Sequence, residues 1–370
     1  MFADAFGQRR VLVTGHTGFK GSWLTIWLKR LGAEVSGFAV APATGPSNFV
    51  TSRVEDLLVE DVRADVRDRQ ALAATVDRCR PEVIFHLAAQ PIVRQGWLEP
   101  LETFDINVRG TATVLDVVRS ASRPCVVVVI TSDKCYEPGP CAHTEADRLG
   151  GTEPYGASKA AAEVVVAAYR SSYFPTELVG THGVRLASAR AGNVIGGGDW
   201  SADRIVPDLV RALVGGTELQ VRSPGAVRPW QHVLVPLSGY LELAARLLTG
   251  SDPGPLCGAW NFGPRVAPDV TVGELVEAAI TQWGSGSWRH VHDRLAAHEA
   301  PYLGLDITKA TEALDWAPAW DLYTSVAATI DWYRRFYLKE PADMRSACLD
   351  DIERYMNTST RGALVRGASR

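Results

Sequence analysis

The 370-residue sequence predicts an α/β protein: a doubly wound, Rossmann-type parallel sheet with a smaller, partly interleaved C-terminal substrate lobe. Three observations carry that expectation. Runs of β-branched residues such as Cys125–Thr131 show no polar alternation, which marks strands covered on both faces. Helical patterns separate these runs at α/β spacing. A glycine-rich turn lies directly between the first run and the first helix, where such sheets bind phosphates.

Taken in order, Val11–Val13 reads as the first strand, and a helix follows from about Ser22 to Leu31. Further strands are expected at Val35–Val40, Leu57–Val62, Val83–Leu87, Cys125–Thr131 and Leu186–Ala191. Helical periodicity covers Asp68–Cys79 and Leu101–Ser122. Beyond residue 193 the alternation loosens into helices at Ile205–Val214, Val235–Leu248, Val272–Trp283 and Tyr323–Phe336, with loops at Gly196–Gly198 and Ser223–Pro229. The expected division is residues 1–192 for the dinucleotide domain, 193–356 for the interleaved lobe and 357–370 for a loose tail.

Composition narrows the function. With 46% hydrophobic residues the chain has ample core, which excludes disorder and disulfide-dependent mini-folds. A net charge of −4 with dispersed basic residues argues against nucleic acid as a partner. The six cysteines form no CxxC pair, so buried thiols in a reducing compartment are expected rather than a metal site. No signal-peptide pattern and no run long enough to span a bilayer is present, so the expectation is a soluble, cytoplasmic protein without a membrane partner.

Gly15-His16-Thr17-Gly18-Phe19-Lys20-Gly21 is G-x-x-G-x-x-G at the first βα turn. Phosphate needs close backbone approach and free N–H donors, which glycine permits and a helix N-terminus supplies. After the second strand, Ala41-Pro42-Ala43-Thr44 offers neither a carboxylate for a ribose 2′-hydroxyl nor an arginine for a 2′-phosphate. NAD and NADP both remain open on these residues, and NAD is favoured as the normal form of a recycled internal oxidant.

Tyr155-Gly156-Ala157-Ser158-Lys159 is Y-x-x-x-K, with the pair on one helix face. A nearby ammonium is expected to lower the tyrosine pKa, letting Tyr155 take a hydroxyl proton while hydride leaves the same carbon. Alone, a packed tyrosine beside a solvated lysine explains the pair better. The run Thr131-Ser132-Asp133-Lys134 changes that, because residues just past a strand's carboxyl end face the ligand crevice. Ser132 is then a hydrogen-bond donor, and Asp133 and Lys134 an acid and a base at the same spot.

The glycine turn, the stretch His86–Pro91, the run from Thr131 and the Tyr155/Lys159 pair together resemble the extended short-chain dehydrogenase/reductases. Within them the sequence is most similar to the CDP-glucose 4,6-dehydratases, through Thr14–Trp23, Ala189–Trp200 and Arg228–Val233. The resemblance runs from about residue 8 to 338. It implies an internal redox cycle: oxidation at C4, loss of water across C5–C6, and return of hydride to C6. Tyr155, Lys159 and Ser132 would serve the oxidation, Asp133 would be the acid at the 6-hydroxyl, and Lys134 the base at C5 or a charge stabilising the enolate. It also implies contacts. Gly15, Thr17, Gly18, Phe19, Lys20 and Gly21 would face the cofactor, joined by Asp65, Val66, Leu87, Ala88, Ala89, Asn107, Tyr155 and Lys159. Gln90, Ser132, Asn193, Arg204, Arg228, His232 and Glu299 would face a nucleotide sugar.

Other features carry less. His290, His292 and His298 lack the ligand spacing of a metal site and read as ordinary histidines. The helices Leu101–Ser122 and Tyr155–Ser171 resemble the pair through which relatives dimerise, so a homodimer is expected, with a tetramer as the other assembly. Two other functions stay in view: a 4-epimerase, which needs no acid/base pair for elimination, and a non-catalytic dinucleotide sensor, which has no use for both Tyr155 and Lys159.

Overall fold

The computed structural model describes residues 2–265, 270–292, 302–338 and 343–367. Seven parallel strands form the central sheet. In chain order they are β1 (Arg10–Thr14), β2 (Glu34–Ala39), β3 (Glu60–Arg63), β4 (Val83–His86), β5 (Cys125–Ile130), β6 (Val184–Ala191) and, after three short strands, β10 (Ala259–Phe262). Those three are β7 (Val194–Ile195), β8 (Leu219–Val221) and β9 (Gln231–His232), and the last strand is β11 (Trp288–His290). The spatial order is β10-β6-β5-β4-β1-β2-β3, and β7 pairs with β9 and β8 with β11 as two small ribbons. β5 is buried along its whole length, because apolar clusters cover both sheet faces.

The order reverses between β1 and β4, whose registered ends are Thr14 and His86. A ligand crevice opens at such a switch point, beyond the carboxyl ends of the strands. The glycine turn and the Leu87–Ala89 stretch follow those two strands directly.

Several elements differ from the sequence expectation. The third strand starts at Glu60, not Leu57, because Val54–Leu57 closes into a 3₁₀ turn that buries Val54. Its charged residues suit an edge strand. The helix expected over 101–122 is interrupted: Pro100–Phe104 and Gly110–Ala121 flank a wider π turn at Asp105–Arg109. The seventh sheet strand, β10, comes from the second half of the chain, where a four-residue run gave no periodicity to read. The expected loose tail is largely helical, since one helix spans Met344–Gly367. Its buried Ala347, Cys348, Ile352 and Tyr355 pack toward the Phe19–Arg30 helix, with Tyr355 edge-on to Trp27 at 5.7 Å. The anchoring side chains precede residue 357, so the polar remainder is carried as the helix's continuation.

Candidate active site

A cleft of about 1200 Å³ opens over the carboxyl ends of the strands. The glycine turn forms its floor. Gly15 has φ +76°, and a Cβ there would lie 2.7 Å from the Ala88 nitrogen. A Cβ on Gly21 would lie 2.1 Å from the Gly15 carbonyl oxygen. Gly18 caps the Phe19–Arg30 helix without any side-chain hydrogen bond, so the first-turn N–H groups are left to the cleft. Thr17 donates to the Val40 carbonyl at 3.0 Å and fixes the turn against β2. This bare, helix-led cradle is what a dinucleotide pyrophosphate requires. His16 is buried and pairs with Asp61 at 2.9 Å, its pKa lowered first by burial. Gly37 makes room for that ring, since a Cβ there would meet it at 2.5 Å.

Ala39, Val40, Ala41, Ala43 and Thr44 line the next part of the wall, with no cation among them. Asp65 and Val66 follow; the Asp65 carboxylate is held by Arg67 at 2.6 Å. Leu87, Ala88 and Ala89 face the same space.

The chemistry-bearing residues converge at the end of β5. The strand runs into a 3₁₀ turn at Asp133–Cys135, started by Ser132. The Ser132 hydroxyl donates to Asp133 Oδ1 at 2.9 Å and accepts the Lys134 N–H at 3.3 Å. Asp133 is 2% exposed, and its Oδ2 has no hydrogen-bond partner among the described residues. Tyr155 and Lys159 reach the same cleft from the Pro154–Ser172 helix. Pro154 at its first position and the Glu153 carboxylate fix its start, with Glu153 accepting the Tyr155 N–H at 2.8 Å and the Gly156 N–H at 2.6 Å.

The electrostatics reverse one expectation. Burial pushes the Tyr155 pKa up to about 12, with Ser132 hydrogen bonding opposing it and Asp133 reinforcing it. Lys159 is not among the groups that pull it down. Lys159 is itself lowered to about 8 by burial, against the attraction of Glu163, and donates to the Ile130 carbonyl at 3.4 Å. In a crowded cleft, desolvation outweighs a single ammonium one helical turn away. Lys20, half-buried in the same wall, is lowered to about 7 by burial and by the charges of Arg204 and Lys159.

Glu163 was missed because it reads as one more helix former after three alanines. It is buried and accepts from Arg190 at 2.8 Å, Ser188 at 2.8 Å and Thr131 at 2.5 Å. Arg190 also donates to the Tyr136 hydroxyl at 2.7 Å. This network ties the Tyr155 helix to β5 and β6. Removing one partner of a buried pair strands the other charge, so Arg190→Met is expected to destabilise the fold by about 3–5 kcal/mol in denaturant titration. A change below about 1 kcal/mol would show the pair to be energetically neutral.

On the opposite wall, Asn193, Arg204 and Arg228 line the cleft. Arg204 is paired with Asp199 at 2.8 Å, and Arg228 is buried. Arg94 and Arg222, unremarked in the sequence, lie beside them and share Asp203 at 3.4 and 3.5 Å. Cations from a helix and separate loops converge only after folding, so no local pattern announced them.

Three expected contacts stand elsewhere. His232 is fully buried between Trp23 and Trp320 and does not line the cleft; burial lowers its pKa to about 3, as suits a neutral core histidine. Gln90 and Asn107 face each other, the Gln90 N–H donating to Asn107 Oδ1 at 2.8 Å, and neither lines the cleft. Asn107 also donates to Ser158 at 2.8 Å, so the π turn spends it on joining the β4 loop to the Tyr155 helix. Glu299, like His298, lies outside the described residues. His290 closes β11 and His292 lies two residues beyond; no group of three metal-binding side chains occurs among the described residues.

The sequence model of the NAD dependent epimerase/dehydratase family matches residues 11–235. The CDP-glucose 4,6-dehydratase of Salmonella typhimurium is 42% identical over 355 residues, covering 95% of this chain and 98% of that protein. The UDP-glucose 4-epimerase of Mycolicibacterium smegmatis is 28% identical, over 88% of this chain and 98% of the epimerase. Among solved structures, the dTDP-glucose 4,6-dehydratase of Streptomyces venezuelae with NAD bound superposes with a TM-score of 0.75 at 26% identity, covering 88% and 97% of the two chains.

Proposed function

This chain belongs to the NAD dependent epimerase/dehydratase family, and from that premise we propose that it is a CDP-glucose 4,6-dehydratase, forming CDP-4-keto-6-deoxyglucose. The observation that carries the reading is the meeting of two pairs in one cleft: Tyr155 with Lys159, and Asp133 with Lys134. The first pair suffices for oxidation at C4. The second adds an acid and a base, which epimerisation at C4 does not need and elimination does.

NAD held over the glycine turn would accept the C4 hydride and return it to C6. The bare N-terminus of the Phe19–Arg30 helix would hold its diphosphate, and the uncharged wall at Ala41–Thr44 favours a free ribose 2′-hydroxyl over a phosphate. Tyr155 receives the C4 hydroxyl proton. The resulting ketone acidifies C5, whose proton goes to Lys134 while Asp133 protonates the leaving 6-hydroxyl. Lys134 then returns its proton to C5. Arg204 and Arg228, with Asn193, suit the nucleotide diphosphate, for which guanidinium forks are well matched.

A second copy of the chain completes the reading. Leu101, Phe104 and Val164 are exposed apolar side chains on the two stretches that the resemblance assigns to dimer contact, with exposed Leu98 on the Val93–Leu98 helix packed beside both. The six cysteines are unpaired, which suits the cytoplasm, and no described helix is long and apolar enough to cross a membrane.

The test is mass spectrometry of sugar nucleotides after incubation with NAD⁺, with CDP-, UDP-, dTDP- and GDP-glucose in parallel. Loss of one water from CDP-glucose without net NADH is the expected result. An unchanged mass for all four overturns dehydration, and proton NMR of the same samples then reveals any epimer.

A further inference from the structure

The proposed reaction gives tasks to Tyr155, Lys159, Asp133 and Lys134, and none to a further buried titratable side chain in the same cleft. His143 is 7% exposed and lines the cleft together with Lys134, Tyr136 and Tyr155. It is carried on a stretch that folds back over the catalytic turn. There Tyr136 pairs antiparallel with Leu149, the Glu137 N–H donates to the Arg148 carbonyl at 2.9 Å, and the Gly150 N–H donates to the Cys135 carbonyl at 2.9 Å. The backbone of His143 is fixed as well. Its N–H donates to the Gly304 carbonyl at 3.0 Å, and its carbonyl accepts from Asn261 Nδ2 and from the Asp306 N–H, both at 2.8 Å.

The ring is oriented too. It stacks on Tyr136 with centroids 4.7 Å apart and planes 9° from parallel. Tyr136 is itself anchored, its hydroxyl donating to Asn261 Oδ1 at 2.8 Å and accepting from Arg190 at 2.7 Å. His143 Nδ1 meets Asp147 Oδ2 at 3.2 Å, and the same carboxylate accepts from the Thr144 N–H and hydroxyl at 3.1 Å each. A carboxylate only accepts, so Nδ1 carries the proton and Nε2 of the neutral ring is left as an acceptor. Nε2 has no hydrogen-bond partner among the described residues. Gly139 leaves that edge of the ring uncovered: a Cβ there would stand 3.2 Å from Cε1 and 3.9 Å from Nε2.

We propose that His143 is a sugar-binding residue whose Nε2 accepts a hydrogen bond from a hexose hydroxyl that the reaction leaves in place, at C2 or C3. The inference rests on the dehydratase reading above. The chemistry of the substrate selects the partner. A diphosphate offers only acceptors, which the Nε2 lone pair repels. The cytosine amino group lies a diphosphate and a ribose away from the reacting carbons. Of the hexose hydroxyls, the one at C4 gives its proton to Tyr155 and the one at C6 takes a proton from Asp133. The hydroxyls at C2 and C3 remain, and each needs a partner once the cleft encloses it. The stack on Tyr136 ties the imidazole to the turn that carries Asp133 and Lys134, so it stands at the sugar end of the cleft. A hydrogen bond to an unreacting hydroxyl is made equally in substrate and transition state, and so acts on KM rather than kcat.

The test pairs the ring nitrogen with the hydroxyl. Dehydration kinetics would be measured at about pH 8, where an ordinary imidazole is neutral, for the unaltered protein and His143→Phe. The substrates are CDP-glucose, CDP-2-deoxyglucose and CDP-3-deoxyglucose, with NADH binding as the check on folding. The unaltered protein is expected to use one of the two deoxy substrates at least ~10-fold less well than CDP-glucose in kcat/KM. His143→Phe keeps a ring to stack on Tyr136 and removes Nε2. It is expected to lose at least ~10-fold on CDP-glucose, mostly through KM, and to handle that same deoxy substrate within about threefold of the unaltered protein. The preference for the hydroxyl then disappears. A merely structural role would lower all three substrates by one factor and keep the preference; that result, or unaltered kinetics on CDP-glucose, overturns the proposal and leaves the dehydratase reading standing. If His143→Phe does not bind NADH, Asp147→Ala decides, because it keeps the imidazole and releases its orientation: a preference reduced at least about threefold supports the contact, and an unaltered one overturns it. Failure of the unaltered protein to dehydrate CDP-glucose overturns the dehydratase reading and the sugar contact with it.

Discussion

Tyr155→Phe is expected to fold and to bind dinucleotide yet to lose nearly all NADH formation from CDP-glucose. Phenylalanine fills the same buried volume, since Tyr155 is 8% exposed, and removes only the hydroxyl. The helix start is untouched, because Glu153 holds backbone N–H groups there. The loss therefore falls on proton transfer at C4, and general acid–base groups contribute about 10²–10⁴-fold. We therefore expect at least a ~10³-fold fall in single-turnover NADH formation. A rate within tenfold of the unaltered protein would remove Tyr155 from the mechanism.

Lys134→Met separates the two halves of the cycle. The lysine lines the cleft beside Asp133, and its charge acts on the half-buried Glu153 carboxylate. A lysine base must be neutral, against an ordinary pKa of about 10.4. The cleft is built to disfavour ammonium charge: burial and neighbouring cations lower Lys20 to about 7, and burial lowers Lys159 to about 8. Methionine keeps the stem and removes the amine. The expected result is NADH that forms once and persists, no loss of water by mass, no deuterium entering C5 from D₂O, and turnover lower by ~10²–10⁴. Dehydration at the normal rate would show that another group takes the C5 proton.

Much of the site is legible in the sequence because its parts are local. Gly15, Gly18 and Gly21 are spaced by one turn-to-helix geometry, Tyr155 and Lys159 by one helical turn, and Ser132, Asp133 and Lys134 by adjacency at a strand end. Such patterns need no knowledge of the rest of the chain. The expected residues that do not line the cleft differ in side-chain direction. His232 belongs to a matched stretch and Asn107 was implied by the resemblance alone, yet the first is enclosed by Trp23 and Trp320 and the second bonds to Gln90 and Ser158. Glu163 went unread for the converse reason, since a lone glutamate in a helix is normally solvated.

The sequence by itself determined the parallel sheet, the chain order of its first six strands, the dinucleotide turn and the Tyr155/Lys159 and Asp133/Lys134 pairs that share the cleft, because hydrophobic period and short spacings encode them directly. Only the tertiary structure decided that β10 closes the sheet, that the chain after Met344 is an anchored helix, and that arginines from four separate segments face one cleft. It also decided the direction in which the site's pKa values move. Burial, not the neighbouring lysine, sets the Tyr155 pKa, and desolvation depends on everything packed around a group, which no local spacing records.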